Sequence, residues 1–200
     1  MPIVKALVLG AYQVNCYIVS AEGRRDCCVI DPGYEPETVL AKLSEFGLTL
    51  DAVLLTHGHF DHVGAVRDLA AATDCRVFLN PADTAMPPQI TAGKLYYTDP
   101  LRDGLQFTAA GMDFSCLSTP GHTEGSVCLL TGDTLFSGDT LFSGSCGRTD
   151  LPGGSMVKMR DSLNRLSQLE QNYWVLPGHG PSTTLSEEKR HNPYMNMGDI

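Results

Sequence analysis

Five of the six histidines lie in three short motifs that border predicted β-strands. The motif HGHFDH at residues 57–62 directly follows a buried strand. PGHT at 120–123 precedes a predicted hairpin strand, and PGHG at 177–180 follows another strand. A random scatter of histidines would not give this distribution. We therefore expect a fold in which several strand ends meet and bring these motifs together.

The hydrophobic pattern predicts that strands and helices alternate along both halves of the chain. Predicted strands cover residues 4–9, 15–20, 26–30, 50–56, 76–80, 106–110, 112–117, 126–130, 134–137 and 173–176. Predicted helices cover residues 36–46, 64–72 and 155–172, with a helix-like tail at 187–194. Residues 81–103 are predicted to form a surface loop. The pattern suits an α+β fold with four layers, an α/β/β/α sandwich, in which residues 1–200 form a single domain.

The motif at residues 57–62 places four metal-competent side chains within six residues. In an extended turn His57 and His59 can point the same way, while Asp61 and His62 follow as the chain enters a helix. Imidazole and carboxylate groups are suitable zinc ligands, and two metal ions about 3.5–4 Å apart need such dense packing. The motif therefore predicts a metal site rather than a solvated histidine-rich loop.

Asp139 is the second carboxylate that the pattern selects. A hairpin formed by strands 126–130 and 134–137 brings the segment before it and the segment after it to the same end, so His122 and Asp139 are predicted neighbours. Asp133 lies in the intervening turn, roughly 20 Å from Asp139 at about 3.3 Å per residue. We predict that Asp139 is a ligand and that Asp133 is a turn residue.

Composition and charge argue against several classes of partner. The chain carries 14 basic and 23 acidic residues, a net charge of −9, whereas nucleic-acid and anionic-membrane binders need a basic face. No apolar run approaches the roughly 18 residues of a transmembrane helix. The seven cysteines form no C-x-x-C pair, so reduced, buried thiols in a cytoplasmic protein are expected.

Four motifs together resemble the metallo-β-lactamase superfamily: THGHFDH, PGHT, SGDTLF and PGHG, in the family's order. The resemblance implies the four-layer fold and a site for two divalent metal ions, with zinc expected and iron or manganese as alternatives. It assigns one ion to His57, His59 and His122. It assigns the other ion to Asp61, His62 and His179, with Asp139 bridging the two.

The resemblance also implies the chemistry. Two Zn²⁺ ions beside Asp61 and Asp139 leave about two positive charges, which lower the pKa of a bridging water towards neutrality. The resulting hydroxide attacks a carbonyl group, and Asp61 can help to orient it. Asp31 matches a family residue that orients metal ligands without binding the metal. The alternative is that Asp31 only caps its own Asp-Pro-Gly turn.

Within the superfamily, residues 138–150 are similar to those of glyoxalase II enzymes, which hydrolyse thioesters of glutathione. Arg148 matches a basic residue that contacts the glutathione carboxylate, so it is a candidate substrate-binding residue. The alternative is an ion pair with Asp150 that only holds the loop. Cys146 is expected to pack rather than to act as a nucleophile.

The expected substrate is a small, anionic acyl thioester such as S-lactoylglutathione. Typical glyoxalase II enzymes carry an added helical C-terminal domain, whereas this sequence continues for only about twenty residues after His179. The chain is therefore most similar to short, single-domain glyoxalase II-like hydrolases. In the tail, His191 is expected to be a surface residue.

Persulfide dioxygenases are the main alternative. They share the scaffold and a Gly-Arg-Thr-Asp loop, but they use a single Fe²⁺, which the resemblance would place on His57, His122 and Asp139. The Gly180-Pro181 pair is more similar to the short hydrolases. A lactonase is a weaker third interpretation. A structural zinc site is disfavoured because such sites are usually closed and often Cys-rich, and the net charge of −9 disfavours a ribonuclease.

Overall fold

The computed structural model describes residues 2–196, and two β-sheets form the centre of the fold. The strands of the first sheet are Pro2–Leu9 (β1), Val14–Ala21 (β2), Asp26–Ile30 (β3), Thr49–Leu54 (β4), Arg76–Leu79 (β5) and Asp99–Pro100 (β6). The later strands are Gln106–Ala109 (β7), Met112–Ser118 (β8), Val127–Thr131 (β9), Thr134–Gly138 (β10), Leu141–Phe142 (β11), Ser145–Cys146 (β12), Trp174–Pro177 (β13) and Thr183–Thr184 (β14).

The first sheet has the order β1-β2-β3-β4-β5-β6, and the second has the order β14-β13-β10-β9-β8-β7. Strands β11 and β12 form a separate two-stranded hairpin. The pairs β3–β4 and β10–β13 are parallel. Parallel neighbours end at the same edge of a sheet, so the loops that follow these strands are brought together on each sheet.

Helices cover the outer face of each sheet. They are Pro36–Glu45 (α1), Phe60–Val63 (α2), Val66–Thr73 (α3), Met156–Ser167 (α4) and Leu185–His191 (α5). Val39 of α1 and Leu69 of α3 belong to the apolar cluster on the first sheet, and Leu163 of α4 belongs to the cluster on the second. A third cluster fills the space between the sheets. The predicted four-layer α/β/β/α sandwich is therefore confirmed.

Strand β10 illustrates why residues of this chain are buried on both faces of a sheet. Successive side chains of a strand point to opposite faces. Leu135 packs in the cluster below α4, whereas Phe136 packs between the sheets. Ile18 and Val19 of β2 divide in the same way between the helix layer and the inter-sheet layer. In both strands, two consecutive apolar residues are therefore buried on opposite faces, without the alternation of apolar and polar residues that a half-exposed strand shows.

Two predicted helices differ from the observed ones in their limits. The helix predicted over residues 64–72 is preceded by α2, so the chain already turns helically inside the first histidine motif. The helix predicted over 155–172 ends at Ser167, where the Gln168 amide donates to the Arg165 carbonyl. The strands β11, β12 and β14 have two residues each, too few to produce a periodic signal.

Residues 81–103 are not the plain surface loop that the sequence predicts. They contain a 3₁₀-helix over Pro81–Ala85 and the edge strand β6. The side chain of Asp83 has no exposed surface, and that of Thr91 is also buried. A composition rich in Pro, Thr and Asp conceals this burial because the buried groups are themselves polar and their hydrogen bonds are satisfied inside the protein.

None of the helices in the described part of the chain has the length and hydrophobicity that a bilayer crossing requires.

Val19→Ala and Val8→Ala form a matched test of the inter-sheet core. Val19 is fully buried, whereas Val8 on the neighbouring strand is 64% exposed. Val19→Ala should lower the free energy of unfolding by about 2 kcal/mol, because it removes buried methyl groups and leaves a cavity. Val8→Ala should change it by less than about 0.5 kcal/mol. Urea denaturation of both variants measures the difference, and equal effects would contradict this core assignment.

Candidate metal centre

The residues predicted to bind metal all follow or border strands at one edge of the sandwich. On the first sheet, Asp31 follows β3 and the motif at 57–62 follows β4. On the second sheet, His122 lies between β8 and β9, Asp139 follows β10, and His179 follows β13. The parallel pairing of β3 with β4 and of β10 with β13 places these loops side by side.

Hydrogen bonds join the two sheets at this edge. The Val127 amide donates to the Thr56 carbonyl at 2.9 Å. The Tyr17 hydroxyl donates to the Pro177 carbonyl at 2.7 Å, and the Asn15 side-chain amide donates to the same carbonyl at 3.0 Å. Asn15 also donates its backbone amide to Gly178. The ligand loops of the two sheets are therefore fixed relative to each other.

One cluster consists of His57, His59 and His122. Their ligand atoms lie within 4.8 Å of one another, and Nδ1 of His59 lies 2.8 Å from Nε2 of His122. All three side chains are buried. The cluster combines two histidines from the first sheet with one from the second.

A second cluster consists of Asp61, His62 and His179, again within 4.8 Å of one another. Nε2 of His179 lies 3.3 Å from Oδ2 of Asp61 and 3.3 Å from Nε2 of His62. The side chain of His179 is 27% exposed and that of Asp61 is 13% exposed. This cluster therefore lies closer to the mouth of the site.

Asp139 lies between the two clusters. Its carboxylate oxygens are 3.4 Å from Nε2 of His122, 3.5 Å from Nε2 of His62 and 3.8 Å from Nε2 of His179. A Cβ atom at Gly178 would lie 2.2 Å from Oδ1 of Asp139, so only glycine allows the His179 loop to approach this closely. Asp133 lies in the turn at the other end of β10.

The donor atoms fit divalent metal ions. Across residues 2–196, three buried side-chain polar atoms lack a hydrogen-bond partner: His57 Nε2, His59 Nε2 and Asp139 Oδ1. Unpaired buried polar atoms are rare because they are costly. All three belong to the predicted ligand set, and imidazole and carboxylate donors are typical of zinc and iron sites. The His/Asp clusters are therefore of a kind that binds divalent metal.

Asp31 contacts His62 rather than the space between the clusters. Its Oδ2 atom accepts hydrogen bonds from Nδ1 of His62 at 2.9 Å and from the Thr56 hydroxyl at 2.6 Å. Its Oδ1 atom accepts from the Thr56 amide at 2.8 Å. A carboxylate that accepts from the far nitrogen of a ligating histidine fixes the orientation of the ring. These contacts match the orienting role and not a cap on the Asp31 turn.

Burial and charge set the protonation of the histidines. Burial and the neighbouring imidazoles hold the pKa of His57 well below its usual range and lower the pKa of His59 to about 4. Both rings are therefore neutral, as metal ligation requires. Burial also opposes protonation of His62, but Asp139 and two further carboxylates outweigh it and raise the pKa of His62 to about 9. The carboxylates thus create a field that favours positive charge.

A cavity of about 620 Å³ opens onto the clusters. Its apolar lining includes Tyr12, Phe60, Ile90 and Phe142, and Arg148 also lines it. Tyr12 packs edge-on against Phe60 with 5.1 Å between ring centroids. Tyr12, in the turn between β1 and β2, was not singled out from the sequence, because a lone tyrosine in a turn carries no signal.

Arg148 forms the ion pair with Asp150 and also lines the cavity, and its role in substrate binding stays a prediction. Its guanidinium donates to both carboxylate oxygens of Asp150 at 2.8 Å. The Arg148 side chain is nevertheless 61% exposed and lines the cavity. Its backbone carbonyl lies 2.7 Å from Nδ1 of His122, so the same residue also supports a histidine of the first cluster.

Two other sequence expectations concern residues near the site. Burial raises the pKa of Cys146 to about 11, so its thiol stays protonated at neutral pH, in agreement with packing rather than nucleophilic attack. His191 lies on the surface of α5, where its side chain is 68% exposed and lies 3.7 Å from Glu187.

A buried polar cluster at α5 holds one wall of the cavity, and no motif or periodicity in the sequence predicts it. Glu188 accepts from the Gly144 amide at 2.8 Å and from the Thr183 hydroxyl at 2.7 Å. Asn192 donates to Glu188 at 2.8 Å and to the Ser145 carbonyl at 2.9 Å. The hairpin β11–β12, which borders the cavity, is thereby fixed by the C-terminal helix.

Comparison with known proteins gives the family. Residues 9–179 match the Metallo-beta-lactamase superfamily, and the chain belongs to this superfamily of metal-dependent enzymes. It is 32% identical to the hydroxyacylglutathione hydrolase GloC from Haemophilus influenzae, with 96% of this chain and 98% of that protein covered.

Two solved structures are also similar. The crystal structure of TTHA1623 in a di-iron-bound form is 42% identical, covers 96% of this chain and 100% of that chain, and has a TM-score of 0.84. The crystal structure of ETHE1 from Myxococcus xanthus is 31% identical, covers 96% of this chain and 83% of that chain, and has a TM-score of 0.84. One of these similar structures therefore contains two iron ions.

Asn192→Ala should loosen the hairpin β11–β12. The change removes the donor to the Ser145 carbonyl and leaves buried partners unpaired, so the free energy of unfolding should fall by about 1–3 kcal/mol. His191→Ala, one residue earlier and exposed, is the control and should have little effect. Urea denaturation gives the stability, and hydrogen exchange at Gly144 and Ser145 gives the local loosening. Unchanged exchange at these amides would contradict the proposed contact.

Proposed function

We propose that this chain is a binuclear metallohydrolase that cleaves a small acyl thioester such as S-lactoylglutathione or a related acyl thiol. One observation carries the proposal: Asp139 lies within 3.8 Å of a histidine in each of the two ligand clusters. A carboxylate in this position suits a bridge between two cations. The family membership and the 32% identity to GloC support the hydrolase class.

The proposed ligands divide into two sets that share Asp139. One ion would be held by His57, His59 and His122. The other ion would be held by Asp61, His62 and His179. We expect zinc, with iron or manganese as alternatives. The di-iron-bound form of TTHA1623 supports iron as an alternative. When bound, the two ions would supply hydroxide at neutral pH and stabilise negative charge on the carbonyl oxygen.

The protein's own groups have distinct parts in this reaction. Oδ2 of Asp61 lies 3.3 Å from Nε2 of His179 at the mouth of the site, where Asp61 can orient the attacking nucleophile. Asp31 holds the ring of His62 in place. Burial keeps the Cys146 thiol protonated, so it is a poor nucleophile, and the proposed reaction includes no acyl-enzyme on this residue.

The cavity is suited to a substrate with one apolar and one anionic part. Tyr12, Phe60 and Ile90 offer an apolar surface. Arg148 offers a guanidinium that can bind a carboxylate in a bidentate manner. Its pairing with Asp150 holds the guanidinium at the cavity, and an incoming substrate carboxylate competes for the same donors.

Persulfide dioxygenase is the second candidate. The similarity to ETHE1 over 96% of the chain supports it, as does the loop Gly147-Arg-Thr-Asp150. This reaction would need a single Fe²⁺ on His57, His122 and Asp139. A lactonase is a weaker third candidate.

We also predict a cytoplasmic location and a single-domain organisation.

Metal analysis of freshly purified protein, followed by paired assays, separates the two main candidates. The hydrolase should contain two ions per chain and release thiol from S-lactoylglutathione. The dioxygenase should contain one iron and consume oxygen with glutathione persulfide. A chain with one iron that consumes oxygen with the persulfide and releases no thiol from the thioester would overturn the proposed hydrolase.

Asp139→Ala should abolish thioester hydrolysis and reduce the metal content from two ions towards one, because it removes the group shared by both clusters. Asp133→Ala is the matched control: it lies in the turn at the opposite end of β10 and should leave both properties unchanged. Thiol release and metal content per chain are the two measurements. Full activity in Asp139→Ala would contradict the proposed bridge.

Arg148→Ala should raise the KM for S-lactoylglutathione about tenfold with little change in kcat. It removes a charge-assisted contact made in both ground and transition states. Arg148→Lys should give a smaller increase because the positive charge remains. Steady-state kinetics measure both parameters, and Arg25→Ala on the exposed turn between β2 and β3 is the control. An unchanged KM in Arg148→Ala would contradict substrate binding by Arg148 and would leave it only the ion pair with Asp150 that holds the loop.

A further inference from the structure

Asp83 is a buried carboxylate that the proposed reaction does not use. It lies in the 3₁₀-helix Pro81–Ala85 after β5, and its side chain has no exposed surface. Asn80 begins this helix by accepting a hydrogen bond from the Ala82 amide at 3.1 Å. A carboxylate at such a depth is retained only where several donors face it.

The three donors to Asp83 come from the two loops that carry the first histidine cluster. Oδ2 of Asp83 accepts from the Gly58 amide at 2.7 Å and from the Thr123 hydroxyl at 3.0 Å. Oδ1 accepts from the Gly125 amide at 2.7 Å. Gly58 separates His57 from His59, and Thr123 directly follows His122. One carboxylate therefore connects the two loops through groups next to the three histidines, without contacting the imidazole rings.

The fit between these loops and the carboxylate is close. A Cβ atom at Gly125 would lie 2.6 Å from Cγ of Asp83, so the loop backbone rests directly on the carboxylate. The Thr123 hydroxyl is also held at 2.8 Å by the Ser126 hydroxyl. The loop that carries His122 is therefore held by the Thr123 and Gly125 contacts with Asp83, in addition to the contact of the His122 ring with the Arg148 carbonyl.

Asp31 and Asp83 support the site through different contacts. Asp31 contacts Nδ1 of His62 in the second cluster, and it also reaches the first cluster through the Thr56 hydroxyl, which lies 3.1 Å from Nδ1 of His57. Asp83 contacts backbone and hydroxyl groups beside all three members of the first cluster. Hydrogen bonds from backbone amides to a carboxylate are charge-assisted and stronger than neutral ones. Asp83 therefore holds the loops of the first cluster, whereas Asp31 contacts the second cluster directly and the first only through Thr56.

We propose that Asp83 is a positioning residue for the three-histidine cluster, and that it sets the affinity of one cation without touching it. The proposal rests on the two-metal site proposed above. Metal ligands must be held to within about 0.5 Å of their binding geometry by the groups around them. Loss of the Asp83 contacts frees two loops that belong to different sheets, so the three imidazoles no longer stay preorganised.

Zinc titration of the metal-free chain against a chromophoric chelator, without any substrate, tests this role. In Asp83→Asn one accepting oxygen is replaced by a donor at nearly constant size. One of the two binding events should weaken by about 10- to 100-fold, as expected for groups that support metal ligands. The other event should stay as in the wild type. Asp31→Asn is the matched comparison and should weaken the other event by the larger factor, because Asp31 contacts His62 directly and His57 only through Thr56.

A gentler pair of variants keeps the carboxylate and guards against misfolding. Thr123→Val removes one donor to Asp83 and should weaken the same binding event as Asp83→Asn, by a smaller factor. Thr123→Ser keeps the hydroxyl and should restore the wild-type affinity. The absorption spectrum of the Co²⁺-substituted protein provides a second readout, because the bands of only one site should change.

The outcomes separate this inference from the proposed function. If Asp83→Asn binds both ions as the wild type does while losing only thermal stability, Asp83 is merely structural and the inference fails. It also fails if the event that Asp83→Asn weakens most is the one that Asp31→Asn weakens most, or if the wild type binds a single ion. A wild type that binds two ions yet hydrolyses no thioester would overturn the proposed function and leave the role of Asp83 standing.

Discussion

The metal centre depends on the contact between the two sheets at one edge of the sandwich. The Val127–Thr56 bond and the bonds from Asn15 and Tyr17 to Pro177 fix the distance between loops of different sheets. Each cluster takes two residues from the first sheet and one from the second. Each bound cation would therefore link the sheets, and metal binding would stabilise the fold by about 2.7 kcal/mol at a concentration one hundred times the Kd.

Buried carboxylates organise this edge at several depths. Asp139 lies between the clusters, Asp31 holds the ring of His62, and Asp83 holds the loops of the three-histidine cluster. The carboxylate oxygens of Asp31 and Asp83 accept hydrogen bonds from neighbouring groups, whereas Oδ1 of Asp139 has no hydrogen-bond partner. The exception, Oδ1 of Asp139, is an atom that the proposed bridge between two ions would use. The arrangement thus distinguishes groups that support the site from the group that is left free to bind.

The sequence predicts the layers and the ligand motifs because both depend on local signals. Period-two burial and turn residues mark the strands, and the three histidine motifs are dense enough to stand out. Asp83, Glu188 and Asn192 could not be predicted, because each also contacts partners that lie 25 to 47 positions away in the chain. A polar residue in a polar segment looks exposed until the opposing backbone donors are known. The end of α4 was also predicted wrongly, because the helix ends at Ser167, where the chain turns back towards β13.

The separation between contacting residues along the chain has a consequence for biosynthesis. Asn15 reaches Gly180, and the wall of the cavity is fixed by Asn192. A ribosome-bound chain that lacks the segment after α4 can form the first sheet early, but it lacks His179 and the contacts of Asn15 with residues 177–180. Binding of both proposed ions at full affinity would therefore be a late event. Before then, the cluster of Asp61, His62 and His179 would be incomplete and would bind metal more weakly.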